Sequence, residues 1–155
     1  MYKLSDFKKY GVAWPFSLPN LNELDDLEKK YFEFQDQAQS KFGIKISLKP
    51  NLLSIFFYKL STHQTIIEKV KSIIGENIYI WSSSFFAKTP GEGKIVSYHQ
   101  DKPYWQLTTD KVVTAWIALT KSNKISGALE VVPGSSKLGI INKLDVENPR
   151  KAYLD

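Results

Sequence analysis

The chain of 155 residues contains no cysteine, only two histidines (His63 and His99), and a single arginine, Arg150, among its 21 basic residues. Without cysteine it can form neither a disulfide nor a thiolate zinc site, and it has no cysteine nucleophile. Any metal would have to bind histidine, carboxylate or carbonyl groups. No apolar run is long enough for a membrane span or a signal-peptide core, so we expect a cytoplasmic protein with no membrane partner.

The net charge of +5 raises the question of a nucleic-acid partner. The lysines are scattered, and only Lys8-Lys9 and Lys29-Lys30 are adjacent. With one arginine, the chain almost lacks the side chain that pairs in a bidentate manner with guanine or phosphate. We therefore interpret the charge as a solvated basic surface and expect no nucleic-acid binding.

The length and the 43% hydrophobic content predict one globular domain over 1–155. In the helical part, about 1–76, apolar residues spaced by three and four predict a helix that starts near Asn20 or Asn22 and stops at Gly43. A second helix is predicted from about Thr62 to Ile74. The part from about 77 to 155 is predicted to form strands at 78–81, 84–87, 95–99, 112–119 and 128–132. Helices followed by an antiparallel sheet make an α+β fold.

His99 and Asp101 are the residues best suited to chemistry. In an extended chain, residues i and i+2 point to the same side, so the imidazole and the carboxylate would converge while Gln100 faces away. One histidine and one carboxylate are two of the three ligands in the facial triad that holds non-haem Fe(II). The spacing alone is weak evidence, because about one chain in ten of this composition contains it by chance. On the spacing alone, a surface hydrogen bond between the two side chains is the favoured interpretation.

Three stretches around this pair follow one another in order: W-S-S-S-F-F-A-K-T-P-G-E-G-K-I-V-S-Y-H-Q-D-K-P-Y-W, V-V-T-A-W-I-A-L-T and S-G-A-L-E-V-V-P-G-S-S-K-L-G. From about Trp81 to Gly139 they resemble the phytanoyl-CoA dioxygenase family. The resemblance implies an Fe(II)- and 2-oxoglutarate-dependent oxygenase whose helices pack on a double-stranded β-helix, a cupin-like jelly roll. It places His99 and Asp101 at the first two iron ligands. Related halogenases carry a small residue in place of Asp101, so hydroxylation of a small organic substrate is implied.

The same resemblance assigns roles to five further residues. Trp116, Ser84 and Lys49 fall at or near positions that line the 2-oxoglutarate pocket. Tyr104 and Trp105 fall where relatives place aromatic side chains against substrate. For Trp116 ordinary core packing is an equally good interpretation, and for the other two aromatic residues the alternative is packing in the core or over a sheet edge.

The chain also departs from the family pattern. The family's third iron ligand, a distal histidine, and the arginine that holds the far carboxylate of 2-oxoglutarate both follow the Pro-Gly-Ser turn. No histidine follows His99, the context of Arg150 does not match, and Ser136 replaces the histidine that usually ends the turn. His63 begins a predicted helix and is interpreted as a polar surface residue. We therefore expect the N-terminal portion of an oxygenase; the alternative is a non-catalytic cupin-like binding module derived from one. Neither the substrate nor the oligomeric state is set by these residues.

We predict no significant turnover of 2-oxoglutarate by residues 1–155 alone, because two Fe(II) ligands without the third bind the metal weakly and the arginine is missing. The measurement is succinate formation in the presence of Fe(II) and ascorbate. Succinate that forms with the unaltered chain and disappears in Asp101→Ala would contradict this expectation.

Overall fold

The computed structural model describes residues 3–19, 24–91, 96–105 and 107–139, without the side chains of residues 24 and 25. The chain divides into two compact units. The first unit consists of Met1–Pro15, Lys88–Val112 and Glu130–Asp155, and the second of Phe16–Ala87 and Val113–Leu129. Both units draw on the predicted helical part and on the predicted sheet part, so the sequence boundary near residue 76 is not the boundary between them. The single domain stays a prediction.

The described residues form six α-helices and two 3-10 turns. They are a 3-10 turn at Leu4–Asp6, α1 (Phe7–Tyr10), α2 (Leu24–Phe42), α3 (Pro50–Leu53), α4 (Ile55–Ser61), α5 (Gln64–Ile74), α6 (Lys102–Trp105) and a 3-10 turn at Ser135–Leu138. None of the helices in the described part of the chain combines the length and apolar character needed to cross a membrane.

Helix α2 buries the apolar stripe that its sequence predicts. Leu27 is fully buried against Phe57 and Leu60 of α4, and Tyr31 and Phe34 pack against the same cluster. These side chains follow one another at three- and four-residue steps, which places them on one face of the helix. The helix ends at Phe42, before a glycine with a positive φ, as predicted. The predicted start at residues 20 to 22 lies outside the described residues.

Helix α5 confirms the second predicted helix and gives His63 a structural role. Nδ1 of His63 accepts a hydrogen bond from the Thr65 N–H at 3.2 Å, which caps the helix, and Nε2 lies 3.1 Å from the Pro19 carbonyl. Because a carbonyl can only accept, Nε2 carries the proton and Nδ1 keeps the lone pair that the cap needs. The interpretation of His63 as a surface residue missed this cap. Gly75 ends the helix as predicted.

Helices α3 and α4 were not predicted. The sequence signal for α3 is Pro50 at its first turn, where the missing N–H is no loss. Helix α4 contains the aromatic run 56–58, which has no strong helical preference. Its formation depends on burial, because Phe57 and Leu60, three residues apart, both enter the core. Tertiary packing therefore decides this segment.

The predicted sheet is represented among the described residues by an isolated antiparallel bridge between Leu48 and Ser84. On either side of it, the Lys49 N–H donates to the Ser83 carbonyl at 2.7 Å and the Phe85 N–H donates to the Ser47 carbonyl at 2.8 Å. The described residues form no longer strand, and residue 95 of one predicted strand lies outside them. The jelly roll stays a prediction.

Gln35 is a buried polar residue on the otherwise apolar face of α2. It is 7% exposed, and its amide contacts one residue twice: Nε2 donates to the Ile46 carbonyl at 2.6 Å, and Oε1 accepts from the Ile46 N–H at 2.9 Å. A primary amide can satisfy a backbone donor and acceptor together. Gln35 thus anchors the segment that leads from α2 to the bridge.

We predict that Gln35→Leu lowers the free energy of unfolding by about 1–3 kcal/mol, because the Ile46 N–H and carbonyl lose their partners in a partly buried place. The measurement is urea unfolding followed by circular dichroism. The matched control is Gln39→Leu, an exposed position one turn further along α2, which should change stability little. Equal stabilities for the two variants would contradict the anchoring role.

Candidate metal site

His99 and Asp101 converge as the i, i+2 spacing predicts. Nε2 of His99 lies 3.2 Å from Oδ1 of Asp101, and both side chains are partly exposed. Asp101 immediately precedes α6, and its carbonyl accepts a hydrogen bond from the Tyr104 N–H at 3.0 Å. The turn into α6 therefore fixes the backbone of Asp101. His99 lies in the segment just before this turn.

The hydrogen bond at Nδ1 of His99 fixes the direction in which Nε2 points. Nδ1 lies 2.6 Å from the Ser97 carbonyl, which can only accept, so Nδ1 carries a proton and donates to it. Nε2 is then the nitrogen that faces the carboxylate oxygen of Asp101. Such a contact is satisfied by a second proton on the ring or by a cation shared between the two groups. Histidine ligands of metals are held in this same way, with the remote nitrogen bonded to a carbonyl or carboxylate.

The 3.2 Å separation also suits a shared metal ion. Two ligand atoms each about 2.1 Å from one ion, at a right angle, lie about 3 Å apart. The pair therefore fits two adjacent positions of a metal's coordination sphere. Among the described residues, no group of three or more histidine, aspartate or glutamate side chains is placed to hold an ion, so a third ligand is not identified.

Tyr104 and Trp105 lie on α6, directly after the pair. The Tyr104 ring meets the His99 imidazole in a T-shaped contact with centroids 5.8 Å apart and planes at 84°. Tyr104 is 56% exposed and Trp105 is partly buried. Tyr104 thus lies beside His99 and Asp101, packed on the histidine ring. Its predicted contact with substrate stays a prediction, as does that of Trp105.

Lys49, Ser84 and Trp116 belong to the second unit. Ser84 pairs with Leu48 in the antiparallel bridge, and the N–H of the next residue, Lys49, donates to the Ser83 carbonyl. Lys49 has a left-handed backbone (φ 53°), which is uncommon for a residue with a side chain. Trp116 is 48% exposed, whereas its neighbour Ile117 packs against the core. The exposure of Trp116 disfavours its core interpretation. The strand predicted over 112–119 stays a prediction. The role of Lys49, Ser84 and Trp116 in binding 2-oxoglutarate also stays a prediction.

The residues on either side of His99 have partners that the sequence did not indicate. The Tyr98 hydroxyl donates to Oε2 of Glu130 at 2.8 Å, and Nε2 of Gln100 donates to the Gly139 carbonyl at 2.8 Å. The hydrogen bond to Glu130 raises the pKa of Tyr98 above its usual value. The alternation of an extended chain predicted that Gln100 faces away from the pair, but it gave no partner for it.

Comparison with known proteins identifies the class. The family model for phytanoyl-CoA dioxygenase (PhyH) matches residues 20–152. This range covers most of the chain and includes His99 and Asp101. The protein belongs to the phytanoyl-CoA dioxygenase family. The resemblance carried by the sequence motifs is thereby confirmed.

Several curated proteins are similar to the chain. A probable alpha-ketoglutarate-dependent hypophosphite dioxygenase of Stutzerimonas stutzeri is 28% identical over 79% of this chain and 42% of its own length. A phytanoyl-CoA dioxygenase of Arabidopsis thaliana is 30% identical over 77% and 46%, and an ectoine dioxygenase of Streptomyces coelicolor is 28% identical over 75% and 40%. The chain thus spans less than half the length of these relatives. No solved structure matches it significantly.

We predict that Trp105→Ala destabilises the chain by clearly less than the roughly 3–5 kcal/mol typical of a buried aromatic residue, because Trp105 is only partly buried. Phe57→Ala, which removes a ring that is 3% exposed, provides the core reference. Both variants are compared by urea unfolding. If Trp105→Ala costs as much as Phe57→Ala, Trp105 is a core residue and its assignment to a substrate wall fails.

Proposed function

We propose that the chain carries the metal pair of an Fe(II)- and 2-oxoglutarate-dependent oxygenase that hydroxylates a small organic substrate. The observation that carries the proposal is the convergence of His99 and Asp101, with Nε2 and Oδ1 3.2 Å apart. Family membership supports it, and so does the Ser97 carbonyl, which accepts from Nδ1 of His99 and leaves Nε2 facing Asp101.

The protein's own residues would hold and orient the reacting groups. His99 and Asp101 would bind Fe(II) at two adjacent positions and leave others open. When bound, Fe(II) with 2-oxoglutarate and dioxygen supplies the oxidising chemistry: one oxygen atom enters a substrate C–H bond, the other enters succinate, and carbon dioxide is released. Lys49, Ser84 and Trp116 are our candidates for lining the 2-oxoglutarate pocket, Lys49 by offering a positive charge to a carboxylate.

The class of substrate is proposed only as a small molecule. The similar proteins are named for phytanoyl-CoA, ectoine and hypophosphite, and these compounds differ widely in size and structure. Family membership therefore leaves the substrate open. Tyr104 and Trp105 on α6 are our candidates for contacting it, since both follow the metal pair within four residues and Tyr104 keeps 56% of its surface exposed.

We predict that the chain binds Fe(II) weakly under anaerobic conditions, and that His99→Ala or Asp101→Ala abolishes this binding. Each variant removes one of two donors, and a single remaining side chain cannot chelate the ion. Titration calorimetry or competition with a chromogenic chelator measures the affinity. The histidine control is His63→Ser, which removes the chain's other imidazole but keeps a side chain suited to capping α5.

Retained Fe(II) affinity in His63→Ser, with loss in the two site variants, would support the proposal. Equal affinity in all four proteins would show that the ion binds elsewhere. An unaltered chain that binds no Fe(II) would favour the non-catalytic binding module instead.

A further inference from the structure

The residues that flank His99 are both tied to one downstream segment. Tyr98 donates to the Glu130 carboxylate and Gln100 donates to the Gly139 carbonyl, each at 2.8 Å. These partners lie nine residues apart and enclose the Pro-Gly-Ser-Ser turn. Two attachment points on either side of one residue restrict rotation of the backbone between them. His99 therefore has little freedom to turn away from Asp101.

The downstream segment is itself held in place. The Gly134 N–H donates to the Tyr10 carbonyl at the end of α1, at 2.7 Å. Gly11 approaches Ser136 so closely that an added Cβ would collide with its side chain. All these residues belong to the first unit. The segment from 130 to 139 can therefore act as a fixed support for the metal pair.

Close packing does not explain how His99 is held facing Asp101. Among the described residues, every buried one belongs to the second unit: Leu27, Gln35, Ala38, Pro50, Asn51, Phe57 and Leu60. The described part of the first unit thus has no buried side chain to lock rotamers around His99. Directional hydrogen bonds are the other means of fixing a metal ligand. Those of Tyr98 and Gln100 act on the chain on either side of His99 and not on its imidazole.

We propose that Tyr98, Gln100 and Glu130 are positioning residues that hold the metal pair in its binding geometry, with the Gly139 carbonyl as the second anchor. The inference rests on the proposed function, because it assigns these side chains to the same site. It differs from the ligand assignment, since none of the three contacts the metal position. Their contribution is to keep Nε2 of His99 directed at the carboxylate of Asp101.

The test combines Tyr98→Phe with Gln100→Met, two replacements of similar shape that remove both hydrogen bonds. We expect Fe(II) affinity to fall, with an upper limit of about 10- to 100-fold, the range found when a group bonded directly to a metal ligand is removed. The imidazole resonances of His99 in the metal-free protein should shift, while those of His63, in the second unit, should not. With only two histidines in the chain, both rings can be followed in one nitrogen–proton spectrum.

Two further comparisons separate positioning from general stability. Tyr79→Phe with Gln37→Met makes the same chemical changes at exposed sites of the second unit and should leave affinity unaltered. At the far end of the support, Glu130→Gln keeps an acceptor for Tyr98 and should preserve affinity, whereas Glu130→Leu should lower it. If the double variant does not fold, the comparison of Glu130→Gln with Glu130→Leu still tests the proposal.

Unchanged affinity and unchanged His99 resonances in both the double variant and Glu130→Leu would overturn the proposal. Failure of the oxygenase assignment gives a different result. If the unaltered chain binds no Fe(II) but the double variant still shifts the His99 resonances, the positioning role stands and the metal assignment fails.

Discussion

The contact between Nε2 of His99 and Oδ1 of Asp101 is the interaction on which the functional interpretation depends. The Ser97 carbonyl accepts a hydrogen bond from Nδ1, so Nε2 is the nitrogen that faces a carboxylate oxygen 3.2 Å away. Either a proton on Nε2 or a metal ion bound by both atoms satisfies this geometry. The geometry of the pair is therefore compatible with a cation site.

The two units are stabilised by different kinds of contact. In the second, aromatic rings of α2 and α4 pack around the fully buried Leu27, and Phe57 meets Phe85 with ring centroids 4.8 Å apart. Dense packing of this kind fixes side chains without directional bonds. The described part of the first unit relies on polar contacts instead, including the ion pair between Lys102 and Asp110. Directional bonds suit a site whose ligands must remain open to solvent and to substrate.

The sequence predicted the features that depend on local spacing. Helix α2, helix α5, the Pro-Gly-Ser turn and the convergence of His99 with Asp101 all follow from periods of 3.6 or 2 residues or from turn residues. It did not predict what depends on a distant partner. Helix α4 requires its aromatic residues to find a core, Gln35 requires Ile46, and Gln100 requires a carbonyl 39 residues away. The jelly roll depends on pairing between distant segments and stays a prediction.

Tyr104 both contacts His99 and remains exposed to solvent. Its ring packs on the imidazole of His99, yet more than half of its surface is exposed. This exposure disfavours the alternative that Tyr104 packs in the core. Its contact with substrate stays a prediction. A change at Tyr104 would alter the orientation of His99 together with any substrate contact. By contrast, Tyr98 and Gln100 bond to Glu130 and to the Gly139 carbonyl, away from the ring of Tyr104. Under our proposal, these bonds would hold His99 and Asp101 even where the residues that contact substrate differ.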